Sequence, residues 1–446
     1  MNETIRAIAR RIHERGGRAL LVGGCVRDAL LGRPCGDVDC EVHGIGPDAL
    51  RALLSAFGEI EERGGVYGIY TLRGAGLDFA LPRRERRTGP GHRDFAVEVD
   101  PFLSPEEAAA RRDFTVNAVM RDALTGEHID PFGGMADLQK GVLRAVPGGQ
   151  FEEDPLRVLR GAQFAARFHL EPDEGTLELM RRMPTERLSA ARVTAEMRKA
   201  LRQSDQPDVF FRVLAQAGAL EPWFAELAPL RRTMQNPRHH PEGDAFEHTM
   251  RVLREAAALQ GGETLMLSCL CHDLGKAACT VRGADGSWTS EGHERLSVQP
   301  AGELMRRLGW GRQAIAAVQN LCALHTDVHR CFYTQAPEAE TNLLFDRAVC
   351  ADELARLAIC DARGTGKPRA QAGREAAFVA ERLAAYARAA ARPMPDAARL
   401  MEAGVAPGPA LKEALACARR RVLSGDTPDE ACAKAAQAFK HGGGGR

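Results

Sequence analysis

The sequence predicts an α+β protein in which a mixed α/β head is followed by all-helical modules. Three observations predict it. Short β-rich pieces alternate with helical stretches up to about residue 145. From about residue 151 the apolar spacing turns helical. The length, 446 residues, suits about two to four domains with room for real cores.

Residues 1–20 read as an amphipathic helix, with Ile5, Ile8 and Ile12 along one side. The strand-like pieces ALLVGG, VDCEV, YGIYTLR and LDFAL follow. The helical part begins with EDPLRVLRGAQFAARF and continues through TLELMRRM, ARVTAEMRKAL and VFFRVLAQAG. A Pro/Asn/His-rich stretch around 230–243 reads as a linker. A second helical block runs to about residue 365, and an Ala- and Arg-rich region ends in HGGGGR, which reads as a disordered tail. The expected domains are therefore 1–145, 146–235, 240–365 and 366–446.

Formal net charge is zero, so a nucleic-acid partner would need a local basic patch. The twelve cysteines lack paired C-x-x-C spacing, which argues against a zinc ribbon or disulfide framework and for a reducing compartment. The first residues lack an apolar leader and no run approaches a membrane span, so the cytoplasm is the expected location, with no membrane partner. Oligomeric state, monomer or dimer, is open.

The most informative stretch is LVGGCVRDALLGRPCGDVDCEV, residues 21–42. Residues i and i+2 of a strand share a face, so Asp37 and Asp39 are expected to reach one Mg²⁺ site, where hard carboxylate oxygens and phosphates bind together. Gly23 and Gly24 allow backbone N–H groups to approach a triphosphate, and Arg27 lies one turn into the next helix. D-x-D alone would equally be an Asx turn. Asp78 in LDFAL is a candidate third carboxylate, or a turn former.

Three further segments carry groups of the right kind. In RRDFTVNA, Arg112 suits phosphate, while Asp113 and Asn117 suit a ribose 2′-hydroxyl; a surface ion pair is the alternative. In EDPLRVLR, Asp154, Arg157 and Arg160 recur at i, i+3 and i+6 and are expected on one helix face. A carboxylate and a guanidinium there match the amino group and ring nitrogen shared by cytosine and adenine, and mismatch guanine and uracil. A capped helix with solvent-facing arginines is the plainer reading. RRERRTGPGHR, 83–93, is a basic run suited to phosphates or to solvent.

A second constellation lies downstream: His248, His272-Asp273, His293, His325, His329 and Asp361. Imidazoles and carboxylates from separate helices can converge on a transition-metal ion that acidifies water for attack on a phosphate ester. A lone His-Asp pair is usually a capped core histidine; this many groups in one helical block favour the metal. His293, His325 and His329 could hold a second ion, hold phosphate, or do neither.

These motifs, in this order, resemble the class II tRNA nucleotidyltransferases and bacterial poly(A) polymerases. GG-x-V-R-D with D-x-D, ARRDFTVNAV (110–119), DPFGGMADL (130–138) and EDPLRVLRGAQFAARF (153–168) carry the likeness, and HDLGK with H…HD…D resembles HD-domain phosphohydrolases. The resemblance implies a polymerase-β-like nucleotidyltransferase head, a helical neck and body, and an all-α HD domain. It implies CCA addition to the tRNA acceptor end from CTP and ATP, with Mg²⁺ in the head. It also implies 2′,3′-cyclic phosphodiesterase, 2′-nucleotidase and phosphatase activity in the HD part, often with Ni²⁺. Ala108, Gln163 and Ala191 depart from the family pattern and bear on the coupling of a loop at about 83–107 to the neck, hence on full against C-only or A-only addition. The rivals are a poly(A) polymerase, a uridylyltransferase-type sensor and a decayed RNA-binding module.

Overall fold

In the computed structural model, residues 3–63, 68–87, 95–148 and 150–439 are described. The Gly-rich tail expected to be disordered lies outside them, as do residues 88–93 of the basic run. The chain forms two compact units, Met1–Ala200 with Val209–Pro222, and Leu201–Asp208 with Trp223–Arg446.

The first unit begins with α1 (Glu3–His13), β1 (Arg18–Val22), α2 (Gly24–Leu30), β2 (Val38–His43), α3 (Pro47–Leu54), β3 (Ile60–Arg63), β4 (Ile69–Leu72) and β5 (Leu77–Ala80). Then come β6 (Arg83–Arg87), β7 (Phe95–Val99), α4 (Pro105–Ala110), α5 (Thr115–Ala118), β8 (Met120–Asp122), β9 (His128–Ile129), α6 (Gly134–Lys140) and β10 (Val142–Leu143). A helical run follows: α7 (Leu156–Phe168), the short β11 (Glu171–Pro172), α8 (Glu174–Arg182), α9 (Ala190–Gln203) and α10 (Asp208–Gln216).

Seven strands form one mixed sheet in the order β3-β4-β5-β2-β1-β8-β9, with β2 and β5 parallel and the other pairs antiparallel. One core joins Ile5, Ile8 and Ile12 of α1 and Leu50, Leu53 and Leu54 of α3 to Ala19, Cys40, Val42 and Phe79 of the sheet. Each buried Ile, Leu, Val or Phe among them contributes roughly 1.5–3 kcal/mol. Alternation sends Leu20 and Val22 of β1 into a separate cluster with Ala108, Ala109, Ala118 and Met120.

Three local readings change. The first helix ends at His13, because Gly16 takes φ 82° and a Cβ on Gly17 would stand 2.7 Å from the His43 carbonyl. The presumed loop at 83–107 contains an antiparallel strand pair, β6 with β7, and the start of α4. Ala108 sits in the apolar cluster with Leu20, Val22 and Ala109.

DPFGGMADL ties the head together. Asp130 accepts hydrogen bonds from the N–H groups of Gly134 (2.7 Å) and Met135 (2.9 Å) at the start of α6. A Cβ on Gly134 would lie 2.1 Å from the Thr115 carbonyl, so only glycine allows α6 this close to α5. Asp137 accepts from Thr115 Oγ1 at 2.7 Å, which holds α5 in place.

The second unit is helical: α11 (Ala245–Ala258), α12 (Glu263–Cys271), α13 (Lys276–Cys279), a hairpin of β12 (Val281–Arg282) and β13 (Trp288–Thr289), α14 (His293–Leu296), α15 (Val298–Arg307), α16 (Arg312–Tyr333), α17 (Glu338–Arg347), α18 (Ala351–Gly364), α19 (Arg369–Ala390), α20 (Ala397–Glu402), α21 (Pro409–Leu423) and α22 (Pro428–Phe439). In α12 every residue from Leu265 to Cys271 is buried, as expected of a helix that is apolar all round. The segment around 230–243 is no linker. Leu230, Thr233 and Gln235 are buried, and Gln235 Nε2 donates to the Asp244 carbonyl at 3.1 Å.

Candidate active sites

The head carries a cleft of about 570 Å³ lined by Gly23, Gly24, Asp39 and seven arginines, Arg27, Arg83, Arg111, Arg112, Arg157, Arg160 and Arg192. Two more aspartates, Asp113 and Asp154, also line it, with Asn117, Leu156 and Phe164. Seven guanidiniums against three carboxylates make a strongly cationic pocket in a chain of zero net charge. Its volume falls within the usual range for a small-molecule site.

Gly23 takes φ 70°, ψ −133°, a conformation that favours glycine, and turns β1 into α2. Asp39 is the second residue of β2, while Asp37 stands one residue ahead of the strand, exposed and outside the cleft lining. Asp78 is the second residue of β5, in parallel register with Asp39 of β2, so it is a strand residue rather than a turn former. Desolvation raises the Asp39 carboxyl above the ordinary range; Arg112 opposes this, and Asp78 and Asp37 add to it. A divalent cation relieves that crowding, and an all-carboxylate donor set suits Mg²⁺. The residues therefore fit the ion.

The EDPLRVLR and RRDFTVNA groups interlock differently from expectation. Asp154 precedes α7 rather than lying on it, yet it lines the same cleft as Arg157 and Arg160; its Oδ2 accepts from Arg192 Nη2 at 2.8 Å. Arg157 donates to the carbonyls of Gln150 (2.7 Å) and Arg111 (2.8 Å). Arg160 Nε donates to Asp113 Oδ2 at 2.7 Å. Asp113 Oδ1 accepts from Asn117 Nδ2 and from the Phe114 N–H, both at 2.9 Å. Asn117 Oδ1 accepts from Arg27 Nη1 at 2.7 Å, and the Arg27 guanidinium stacks 4.0 Å from the Phe168 ring centroid. Asp113 and Asn117 are thus committed to arginines because a buried carboxylate needs internal partners. Burial pushes the Asp113 carboxyl up, but Arg160 and the hydrogen bonds outweigh it and hold it low.

Sequence reasoning missed Glu41. It is 1 % exposed, bonded by Arg111 Nη2 at 2.7 Å and by His43 Nε2 at 3.2 Å. Burial opposes its charge, yet His43, Arg111 and Arg112 pull its carboxyl down to about 2. The signal was present: in D-C-E-V-H, Asp39, Glu41 and His43 alternate onto one face while Cys40 and Val42 enter the core.

The second site gathers every histidine and aspartate expected of it. His248 Nε2 lies 2.9 Å from Asp361 Oδ1, and His329 Nε2 lies 2.7 Å from Asp361 Oδ2. His293 Nε2 lies 3.1 Å from Asp273 Oδ1 and 3.3 Å from His325 Nε2. The Nδ1 atoms of His272 and His325 donate to the carbonyls of Cys269 (2.8 Å) and Cys322 (2.7 Å), which turns both Nε2 atoms inward. His272 Nε2 and both Asp273 oxygens are buried without a well-directed hydrogen bond, although Lys276 Nζ stands 2.7 Å from Asp273 Oδ2. His248, His272 and Asp361 offer ligand atoms within 4.8 Å of one another, as do His272, Asp273 and His325. Buried orphan donors in a mixed imidazole–carboxylate set fit a transition-metal ion. No comparably tight group forms among the described residues of the head.

Glu242 and Glu375 were also missed. Glu242 Oε1 is 2.9 Å from both His248 Nδ1 and His240 Nδ1, and Glu375 pairs with His329 Nδ1. Burial opposes charge on His248, but Asp361 and Glu242 overcome it and hold the imidazole at about 9. His329, between Asp361 and Glu375, is likewise held at about 10. Burial drops His325 to about 4. In HDLGK, a Cβ on Gly275 would fall 2.3 Å from the His293 carbonyl, so glycine lets α14 approach and deliver His293.

Residues 19–144 match the Poly A polymerase head domain. The multifunctional CCA protein of Xanthomonas campestris pv. campestris (strain B100) is 37% identical over 417 residues, spanning 90% of this chain and 96% of that relative. This chain belongs to the multifunctional CCA protein family. The relative from Xylella fastidiosa (strain M23) is 38% identical over 324 residues, 70% of this chain and 75% of its own. Among solved structures, the Thermotoga maritima CCA-adding enzyme complexed with tRNA superposes with TM-score 0.65 at 19% identity, covering 97% of this chain and 94% of that one. The Bacillus stearothermophilus CCA-adding enzyme in complex with CTP gives 0.63 at 22%, covering 98% of each. These likenesses show the fold, so the expected α+β architecture with a polymerase-β-like head holds. Among the described residues, no helix is long and apolar enough to cross a membrane.

Proposed function

We propose that this chain adds CCA to tRNA 3′ ends in the cytoplasm, from CTP and ATP and without a nucleic-acid template, and that its second site is a metal-dependent phosphohydrolase. The observation that carries the first part is the head cleft, where seven arginines surround Asp39 beside the Gly23 turn. In the reaction, the tRNA 3′-oxygen forms a bond to the α-phosphorus, the bond to the β-phosphate oxygen breaks, and pyrophosphate leaves. The hydroxyl proton is taken up by the aspartate group.

Asp37 and Asp39, with Asp78, would hold Mg²⁺, which supplies charge neutralisation at the α-phosphate when bound, as two ions in a two-metal scheme. Arg27, Arg112 and the glycine turn bind the triphosphate. Asp113 and Asn117 act mainly by fixing Arg27 and Arg160. Asp154 and Arg157, at the entry to α7, are the groups we assign to the cytosine and adenine edges, with Arg160 held beside them. We assign 1–145 to the head, 146–235 to the neck and body, 240–365 to the HD domain and 366–446 to a helical C-terminal region.

In the second site, His248, His272, Asp273 and Asp361 would hold a transition-metal ion such as Ni²⁺, with His293 and His325 beside them; the ion supplies acidified water. Lys276 and the flanking histidines orient a phosphate ester there. A tRNA lacking its 3′ end, given CTP, ATP or both and resolved nucleotide by nucleotide, tests the main reading. Two C residues with CTP alone and a terminal A only with both support it. A long A tract with ATP alone would make the protein a poly(A) polymerase, and a product stopping at C or requiring preformed CC would make addition partial.

A further inference from the structure

The positive charge of the head does not stop at the cleft lining. Phe164 lines the cleft, and Phe168, about one turn further along α7, packs beside it with ring centroids 5.8 Å apart. Four guanidiniums stack on these two rings. Arg160 and Arg27 lie 4.9 and 5.2 Å from the Phe164 centroid. Arg27, Arg167 and Arg33 lie 4.0, 4.9 and 5.0 Å from that of Phe168. Arg160 and Arg27 line the cleft, while Arg33 and Arg167 stand just outside its lining.

The outer two are held in place without being neutralised. Arg33, in the connection from α2 to β2 that also carries Asp37, donates from Nη1 to the Arg167 carbonyl at 2.8 Å. Gln163 is buried, and its Oε1 accepts from Arg167 Nε (3.2 Å) and Nη1 (2.8 Å). Both acceptors are neutral, and among the described residues neither guanidinium makes an ion pair with a carboxylate. Asp28 gives its Oδ1 to Arg27 Nε (2.9 Å) and Nη2 (2.7 Å) instead. Burial and the charges of Arg27 and Arg33 push the Arg167 guanidinium below its ordinary value, against Asp28 and Glu196. Partly exposed guanidiniums crowded on one ring and oriented by neutral acceptors are completed by an anion, and their planar forks match a phosphate.

We propose that Arg33 and Arg167, on the platform of Phe168, form a second phosphate subsite beside the head cleft. Its ligand is a phosphate group joined to what the cleft holds, either a phosphodiester of the RNA end or the distal phosphates of the nucleotide. The inference rests on the nucleotidyl-transfer reading above and adds two positioning residues to it, one of them on the connection that delivers Asp37. Packing of α7 against that connection is the competing role of the same contacts, and it predicts lost stability where the subsite predicts lost affinity.

The test uses the full-length protein, the double variant Arg33→Gln/Arg167→Gln and the charge-keeping double variant Arg33→Lys/Arg167→Lys. Equilibrium binding of CTP, of pyrophosphate and of a tRNA lacking its 3′ end is measured over a range of KCl concentrations, with melting temperature measured on the free protein. The glutamine variant should melt at or above the wild-type temperature, since it removes mutual repulsion. If the ligand is the RNA backbone, its tRNA affinity should fall about tenfold, the slope of log affinity against log salt should shrink by about one, and CTP binding should hold. If the ligand is the nucleotide, affinity for CTP and pyrophosphate should fall about tenfold while tRNA binding holds. The lysine variant should recover part of the loss in either case. Unchanged affinity for all three probes overturns the subsite, and so does a loss accompanied by a lower melting temperature. A wild type that binds neither CTP nor tRNA, yet is stabilised by pyrophosphate where the glutamine variant is not, would sink the nucleotidyl-transfer reading and leave the subsite standing.

Discussion

Glu41→Gln removes one charge under the head cleft and nothing else of size. The carboxylate is buried and holds Arg111 at 2.7 Å, with Arg112 3.9 Å away. Its carboxyl sits at about 2 against an ordinary 4.5. A difference of that size corresponds to about 3 kcal/mol of folding stability at neutral pH. Because the folded value is depressed, this stability is complete above the unfolded value of 4.5 and disappears as pH falls through 2. Glutamine keeps an acceptor for one arginine but leaves buried guanidinium charge uncompensated, so the variant should lose about 2–3 kcal/mol at pH 7. Denaturant unfolding of the head, followed by amide exchange of β1 and β2 so that the second unit does not enter the signal, measures it at pH 7 and pH 3. The gap between wild type and variant should narrow at pH 3. Nucleotide incorporation should also fall, since Arg111 and Arg112 line the cleft. A variant within about 0.5 kcal/mol of wild type at pH 7, with no narrowing at pH 3, would refute the reasoning.

Asp39→Ala should cut nucleotide incorporation by about a thousandfold or more, the scale expected when metal-assisted charge stabilisation is lost. Retention of tRNA binding in a filter assay, with unchanged or raised thermal stability, checks that the crowded carboxylate serves chemistry rather than folding. His272→Ala should abolish phosphohydrolase activity and Ni²⁺ binding while leaving CCA addition intact; loss of both activities would show the sites to be interdependent. Ni²⁺ affinity should climb by up to about tenfold per pH unit between 7 and 9 and flatten above, because His248, held at about 9 in the free protein, must shed a proton to become a ligand. Calorimetry in two buffers of different ionisation enthalpy reads that proton directly, and a pH-independent affinity would remove His248 from the ligand set.

Much of both sites was legible because the chemistry lies in short local spacings. The Gly23-Gly24 turn, the Asp39 strand and the adjacent His272-Asp273 are set by dihedrals and periodicity within a few residues. What escaped were the groups that answer them from afar. Asp113 finds Arg160 47 residues on, and His248 finds Asp361 across 113. Asp154 was expected on the α7 face because i, i+3 and i+6 assume an unbroken helix, but Pro155 supplies the cap and the carboxylate falls outside it. Asp113 and Asn117 were expected to face a ribose; at full burial the arginines claim them first.

The segment around 230–243 shows why such partners were missed. Proline, asparagine and paired histidines are what a solvated connection contains, and polarity alone supports that reading. Yet a buried imidazole with one nitrogen turned toward a carboxylate or metal must place its other N–H somewhere. His248 Nδ1 places it on Glu242, which also takes His240 Nδ1 and the Gly366 N–H at 2.8 Å. The demand for Glu242 is therefore created by His248, six residues later, and is invisible until the helix of His248 is known to be buried on that face. The same demand by His329 is met by Glu375, in a helix that no sequence motif singled out. Reading a metal-site sequence for its ligands thus captures half of it; each candidate imidazole also implies an acceptor for its second nitrogen, and a nearby glutamate in an otherwise linker-like segment is where to look.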